Sequence, residues 1–325
     1  MDHRTKGEMC RESTGTGNGE RARPGAGKGI QVRNGERNGA GNRDGGSAEK
    51  AVRADLHVHS TCSDGSEDLR GILARAAGLG LTHLAFTDHD CTRYAGEAQR
   101  LGAETGVAVI PAVEISASDR TTGRKVHILG YDYKQPEPIE AVCAPILRRR
   151  HENCLKQIGI LRDLGYCISE EAVAPYAAGG TFYKQHILKY LYDTGQSPAV
   201  FGDVYRTVFK NGGPCDFDIE YAEAAEAVRA VAEAGGYAVL AHPGQQQNFD
   251  LIPELVRAGL SGIERNHPAN TQQHRELISR LAADNGLFCT GGSDFHGIYA
   301  AKGRPLGSVL APEDCPLPGL VLIKD

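Results

Sequence analysis

The chain has 325 residues, 40% hydrophobic and 24% charged, close to globular averages and enough apolar material for a packed core. Its formal net charge of -5 argues against bulk binding to nucleic acid or to an anionic membrane. No apolar run approaches a bilayer-spanning length, the first fifty residues lack the apolar core of a secretion signal, and the nine cysteines include no CxxC pair. The expectation is a cytoplasmic protein with reduced thiols and no membrane partner, its oligomeric state left open.

Residues 1–50 are rich in Gly, Arg, Asn and Glu, so burial cannot offset their conformational entropy and a disordered, solubilising tail is predicted. From Ala54 onward short apolar strands alternate with amphipathic helices: strand 56–59, helix 69–78, strand 83–87, helix 95–104, then strands 107–111 and 126–131. The middle departs from this rhythm, with helices predicted over 139–164, 182–193 and 200–208. Alternation resumes with helix 223–234, strand 237–241, helix 252–258, strand 262–264, helix 271–285 and strand 288–291. Repeated units of this kind predict an α/β fold with a parallel sheet, open or closed into a barrel. The predicted organisation is a tail (1–50), an α/β domain in two parts (51–134 and 216–325) and a helical insertion at about 135–215.

The chemically interesting residues fall at predicted strand ends. Asp-Leu-His-Val-His places His57 and His59 at i and i+2, on one face of a strand. Asp64 follows in a loop, and the next strand ends in Thr-Asp-His-Asp with Asp88, His89 and Asp90. Glu114 lies near the end of the following strand and His127 on another, while Leu-Ala-His-Pro contributes His242 and Gly-Ser-Asp-Phe-His-Gly contributes Asp294 and His296. Neutral imidazole and carboxylate suit divalent Mn, Fe or Zn, and carboxylates can bridge two ions. Ligands of parallel α/β folds bind outside the carboxyl ends of the strands. A lone strand-end histidine is usually a hydrogen-bonded structural residue, as His83 is read, with His151 and His274 read as exposed helix residues. The ordered recurrence of such residues on consecutive strand ends is what points to a cluster of two or three divalent metals.

Taken together, His57-Val-His59-Ser, Ser63-Asp64-Gly65, Phe86-Thr-Asp88-His89-Asp90, Glu114, His127, Ala241-His242-Pro243 and Gly292-Ser-Asp294-Phe-His296-Gly resemble the motifs of the PHP (polymerase and histidinol phosphatase) family over about 54–310. The resemblance implies a distorted seven-stranded (β/α) barrel, a trinuclear metal site and phosphoesterase activity. It is nearest to a branch with a helical insertion that includes nucleoside 3',5'-bisphosphate phosphatases and exonucleases acting on short RNA. By the same resemblance, His57, His59, Glu114 and Asp294 would hold one metal. Glu114, His127 and His242 would hold a second, and Asp64, His89 and His296 a third. Where that branch often carries Arg-Pro-His, this chain reads Lys184-Gln185-His186, and its basic cluster on the first insertion helix is Arg148, Arg149 and Arg150.

The expected chemistry is hydrolysis of a phosphate monoester of a nucleotide or small metabolite by a metal-bound hydroxide. Arg149 or a neighbour in the run Arg148 to Arg150, with Lys184, would bind phosphate from the insertion (Arg148 and Arg149 being the first choices), and His267 would serve as the candidate acid. Asp88, facing away from His89 along its strand, is expected to support ligands rather than bind metal. One alternative is an exonuclease acting on short oligonucleotides, with Tyr176, Phe182, Tyr183, Tyr190 and Tyr192 lining a groove. Another is a non-enzymatic metal-binding regulator.

Overall fold

A computed structural model describes residues 51–299 and 304–317; the tail expected over 1–50 lies outside the described residues. The first half runs β1 (Ala54–Val58), α1 (Leu69–Gly78), β2 (His83–Phe86), α2 (Ala95–Thr105), β3 (Ala108–Ser118) and β4 (Lys125–Tyr131). Helices α3 (Glu137–Asp163), α4 (Glu170–Val173), α5 (Lys184–Asp193) and α6 (Asp203–Val208) follow. The second half contains β5 (Ala222–Glu223), α7 (Ala224–Glu233), β6 (Tyr237–Leu240), α8 (Pro243–Gln246), α9 (Ile252–Ala258), β7 (Gly262–Asn266), α10 (Gln272–Asn285) and β8 (Phe288–Gly291).

Seven strands form a sheet in the order β1-β2-β3-β4-β6-β7-β8, with the two-residue β5 added beside β3. The sheet nearly closes: Phe295, just past β8, bridges Val58, and the His59 amide donates to the Phe295 carbonyl at 2.8 Å. The result is a distorted seven-stranded α/β barrel. Strands β1 and β2 are buried at every position, as expected where helices cover the outside.

The expectation of a parallel sheet fails at β4, which runs antiparallel to both β3 and β6. The reason is connection length. A parallel crossover needs a dozen or more residues, whereas Ser118 and Lys125 are joined by a six-residue hairpin closed by Asp119 N–H donating to the Arg124 carbonyl at 2.9 Å. Strand β3 also runs further than predicted, to Ser118, so Glu114 lies within the strand rather than at its end.

Helix α3 has 27 residues, a length of about 40 Å, and it joins two cores. Its first half packs Ile139 and Cys143 against α7 and the barrel strands, with Val228 and Ile128 in the same cluster. Its second half packs Cys154, Ile158 and Leu161 with Ile187, Leu188 and Phe209 in a separate cluster of the helical segment. The segment between β4 and β5 therefore buries apolar surface of its own while sharing one helix with the barrel.

Candidate active site

The inward residues of the barrel meet at one rim. His57 and His59 leave β1 on the same face, Glu114 projects from β3, and His242 and Asp294 follow β6 and β8. His127 reaches the same place by the opposite route: because β4 is antiparallel, its start pairs with the far end of β3, with His127 opposite Ser116. Glu114 is the centre. Its Oε2 lies 3.1 Å from His59 Nε2, 3.3 Å from His57 Nε2 and 3.4 Å from His89 Nδ1, and its Oε1 lies 2.7 Å from His127 Nδ1 and 2.9 Å from His242 Nε2. Asp294 Oδ1 is 3.5 Å from both His57 Nε2 and His59 Nε2. Asp64 Oδ1 is 3.4 Å from His296 Nε2 and 3.7 Å from His59 Nδ1. All nine candidate ligands are thus brought together.

Outer partners orient this cluster. The buried Glu264 accepts His57 Nδ1–H at 2.9 Å, which turns the His57 Nε2 lone pair inward, and it also accepts the His242 amide at 2.8 Å. Asp55 accepts the amide and hydroxyl of Ser293 at 2.8 and 2.6 Å, setting the loop that carries Asp294. Asp88 accepts from Ser60 and Ser63 at 2.7–2.8 Å and so holds the loop that carries Asp64. Close approach requires glycine beside both metal-facing loops: a Cβ on Gly292 would strike the His57 amide, and one on Gly65 the His59 carbonyl. Asp90, His242 and Asp294 adopt positive φ (57°, 26° and 52°), a strain of about 1–3 kcal/mol each that typically collects at functional sites.

The residues fit divalent cations on two independent grounds. Both ring nitrogens of the buried His59 and Nδ1 of the half-buried His89 make no aligned hydrogen bond although the Glu114 carboxylate lies 3.1 and 3.4 Å away, an arrangement that a metal ion would satisfy. Donor atoms also fall into groups within 4.8 Å of one another: His59, Asp64, His89 and His296; His57, His59 and Asp294; His57, Glu114 and His242; and His89, Glu114 and His127. Burial opposes charge throughout, yet the surrounding imidazoles hold Glu114 and Asp294 well below the usual carboxylate range. Burial pushes His89 down to about 3, leaving a neutral imidazole suited to a metal.

Residues 55–239 match the PHP domain. The chain belongs to the PHP family. It is 46% identical over 247 residues to the phosphoribosyl 1,2-cyclic phosphate 1,2-diphosphodiesterase of Eggerthella lenta, covering 75% of this chain and 94% of that protein. It is 30% identical over 279 residues to the 3',5'-nucleoside bisphosphate phosphatase of Chromobacterium violaceum (81% and 92% covered). A 5'-3' exoribonuclease of Haemophilus influenzae is 28% identical over 247 residues (74% and 89%). The crystal structure of a Bifidobacterium adolescentis protein described as a candidate metal-dependent phosphoesterase superposes with a TM-score of 0.73 at 28% identity, covering 82% of this chain and 94% of that one. As a PHP protein the chain is a metal-dependent phosphoesterase, a hydrolase, and the regulator alternative falls away.

Two cavities reach the PHP cluster. The smaller, about 210 Å³, is lined by Glu114, His242, Asp294 and His296 together with Tyr299 and Arg304. The larger, about 570 Å³, runs from Asp64, His89 and His127 to the insertion, where Arg150, Tyr183 and Lys184 line it. Lys184 thus faces the cavity as expected, and burial followed by the neighbouring Lys210 charge pushes its pKa down. Lys125 and Lys210 line the same space.

Other expected residues are placed differently. Arg148 is exposed, and neither it nor Arg149 lines either cavity; the neighbour that does is Arg150. Its guanidinium bonds Asp90 Oδ2 at 2.9 Å and Ser116 Oγ at 2.8 Å, and lies 5.0 Å from the Tyr183 ring. Tyr183 in turn donates to the His89 carbonyl at 2.9 Å. The sequence did contain a signal for this: Arg150 stands four residues from Ile146 and from Cys154, on the buried stripe of α3. His267, the candidate acid, is fully buried and lines neither cavity. Its Nδ1 accepts the Ala269 amide at 3.1 Å, so its Nε2 carries the proton and donates to Asp294 Oδ2 at 3.3 Å, orienting that carboxylate.

The divergent Gln185 donates to Asp64 Oδ2 at 2.7 Å. His83 stays at the start of β2 with its ring 2.8 Å from Thr82 Oγ1. His151 and His274, expected to be exposed, are half-buried: His151 Nδ1 accepts the Phe182 amide and His274 Nδ1 the Thr271 amide. Of the five aromatics expected in a groove, Tyr183 alone lines the large cavity, where Phe201, Tyr205 and Tyr221 join it. Among the described residues no helix is long and apolar enough to cross a membrane.

Proposed function

We propose that this PHP protein hydrolyses a small sugar phosphate carrying two phosphoryl groups, of the phosphoribosyl cyclic phosphate class named for the Eggerthella lenta relative. The observation that carries this reading is a single cavity of about 570 Å³ that joins the ligand cluster to a second cationic group, Lys125, Lys184 and Lys210. Lys125 precedes His127 by two residues on β4, so it shares its face about 7 Å further along the strand. One phosphoryl group then sits at the cluster and the other at the lysines, with the sugar between them.

In this reading two or three divalent ions, of Mn, Fe or Zn type, are held by three residue groups. By the family resemblance His57, His59, Glu114 and Asp294 would form the first, Glu114, His127 and His242 the second, and Asp64, His89 and His296 the third, whereas the donor atoms pair His242 with His57 and Glu114, and His127 with His89 and Glu114. Such ions supply Lewis acidity at the phosphoryl oxygens and lower the pKa of water. Glu264 and His267 hold His57 and Asp294 in the orientation that binding requires. Lys184, the most buried cation of the distal group, binds the non-reacting phosphate, and Arg150 fixes the loop that carries His89.

A second reading, trimming of short 5'-phosphorylated oligonucleotides, is favoured by Phe201, 40% exposed at the cavity edge where a base could stack. Loss of substrate and formation of each product, inorganic phosphate included, are followed by chromatography for phosphoribosyl 1,2-cyclic phosphate, adenosine 3',5'-bisphosphate and a 5'-phosphorylated dinucleotide, with protein purified without chelator. Highest kcat/KM on the cyclic sugar phosphate is expected. Preference for the dinucleotide would move the assignment to the second reading, and inactivity on all three would end both.

A further inference from the structure

Arg304 belongs to no motif, yet it enters the cluster cavity from a firmly held loop. The Gly307 amide donates to Asp55 Oδ2 at 2.8 Å and the Ala311 amide to the Ala54 carbonyl at 2.8 Å. Leu306, 3% exposed, packs into the cluster that contains Leu81 and Phe86. With its backbone so anchored, the Arg304 side chain turns inward. One terminal nitrogen meets Asp294 Oδ2, and the other donates to Gln245 Oε1 at 3.0 Å. Its side chain is 18% exposed, and the cavity it lines also contains Glu114, His127, His242 and His296.

The two oxygens of Asp294 divide the work. Oδ1 faces His57, His59 and His296, whereas Oδ2 faces His267 and Arg304. Arg304 therefore stands one carboxylate width from the candidate metal ligands, and no other Lys or Arg among the described residues lines that cavity. A fixed positive charge there opposes the binding of cations, so the ligand cluster alone gives no reason for it. An anion arriving in the cavity does, because a guanidinium matches two phosphoryl oxygens with a planar pair of N–H donors. Gln245 holds the fork from its far side and leaves the remaining N–H groups for the substrate.

We infer that Arg304 is a catalytic residue that grips the phosphoryl group undergoing hydrolysis, beside the metals and opposite Lys184. Charge grows on the non-bridging oxygens as the ester bond breaks, and a preorganised donor in a water-poor cavity stabilises it there. The inference rests on phosphoesterase activity and is independent of which sugar or nucleotide carries the phosphate.

The test compares wild type, Arg304→Ala and Arg304→Lys as full chains. Metal content is read by elemental analysis, inorganic phosphate affinity by calorimetry, and kcat and KM on whichever ester the wild type turns over. Metal content is expected to hold, phosphate affinity to fall about tenfold, and kcat to fall about 100–1000-fold. Arg304→Lys should restore only part of the loss, since it lacks the fork, and added guanidinium should partly rescue Arg304→Ala. Unchanged phosphate affinity with turnover within about twofold of wild type would overturn the inference. So would loss of metal whose replacement restores full turnover, because Arg304 would then act only on Asp294. Should the wild type turn over none of the chosen esters, phosphate affinity still decides the role of Arg304, separately from the substrate assignment.

Discussion

The barrel rim and the helical insertion face one another across the same cavity but hold their functional groups differently. At the rim, His57, His59, Glu114 and Asp294 are buried, and partners such as Glu264 and Asp55 fix their orientation. On the insertion, Lys184 and the exposed Phe201 project from short helices and loops that pack on a separate apolar cluster. The polar bridges between the two include Arg150 to Asp90 and Ser116, Tyr183 to the His89 carbonyl, and Gln185 to Asp64. The difference teaches a division of labour. Rigid strand ends are suited to the demanding geometry of a metal cluster, while an element with its own core can vary in sequence without disturbing it. The 46% identical diesterase and the 30% identical bisphosphate phosphatase, with different named substrates, fit such a division.

The strongest way to break this contrast is Glu114→Gln, since Glu114 touches five imidazoles. Phosphate release should fall by more than the ~10–100-fold typical of losing an outer partner, together with metal content. Retained metal with full activity would remove Glu114 from the centre of the site. Next comes the bridge itself. Arg150→Met leaves Asp90 buried and unpaired, and the free energy of unfolding by denaturant should drop about 3–5 kcal/mol. Adding Asp90→Asn should recover much of that; no recovery would mean that Arg150 acts through packing alone.

A smaller effect is expected of Glu264→Gln, which keeps shape but weakens the hold on His57. Metal affinity, titrated against a chelator, should weaken about 10–100-fold while the fold is unchanged by circular dichroism. Smallest is Lys184→Ala. It should raise KM about tenfold for a substrate with two phosphates, with kcat and metal content near wild type. An equal rise for a simple monoester would show that the insertion does not sense the second phosphate.

The nine candidate ligands and most elements were legible in the sequence because their signals are local. Alternation with a period of two places His57 and His59 on one face, and α1, α9 and β8 begin and end where the residue pattern predicts. The helical insertion was equally legible, since strand signals vanish between about 135 and 215. What was not legible depends on direction and phase. A six-residue hairpin reverses β4, and only that reversal carries His127 to the rim beside Glu114. Successive residues on a helix point about 100° apart, so which of Arg148, Arg149 and Arg150 faces the cavity is decided by how α3 seats its buried stripe between two cores.

By itself, then, the sequence determined the chemistry of this PHP protein: a set of residue types suited to divalent cations, recurring on or beside successive strands. The tertiary structure alone decided which groups surround that set. Glu264 behind His57, His267 behind Asp294 and Arg304 beside it are distant from their partners along the chain or lie outside any repeating pattern. Their roles follow from barrel closure and loop anchoring, because a side chain's reach is set by long-range packing and not by its neighbours in sequence.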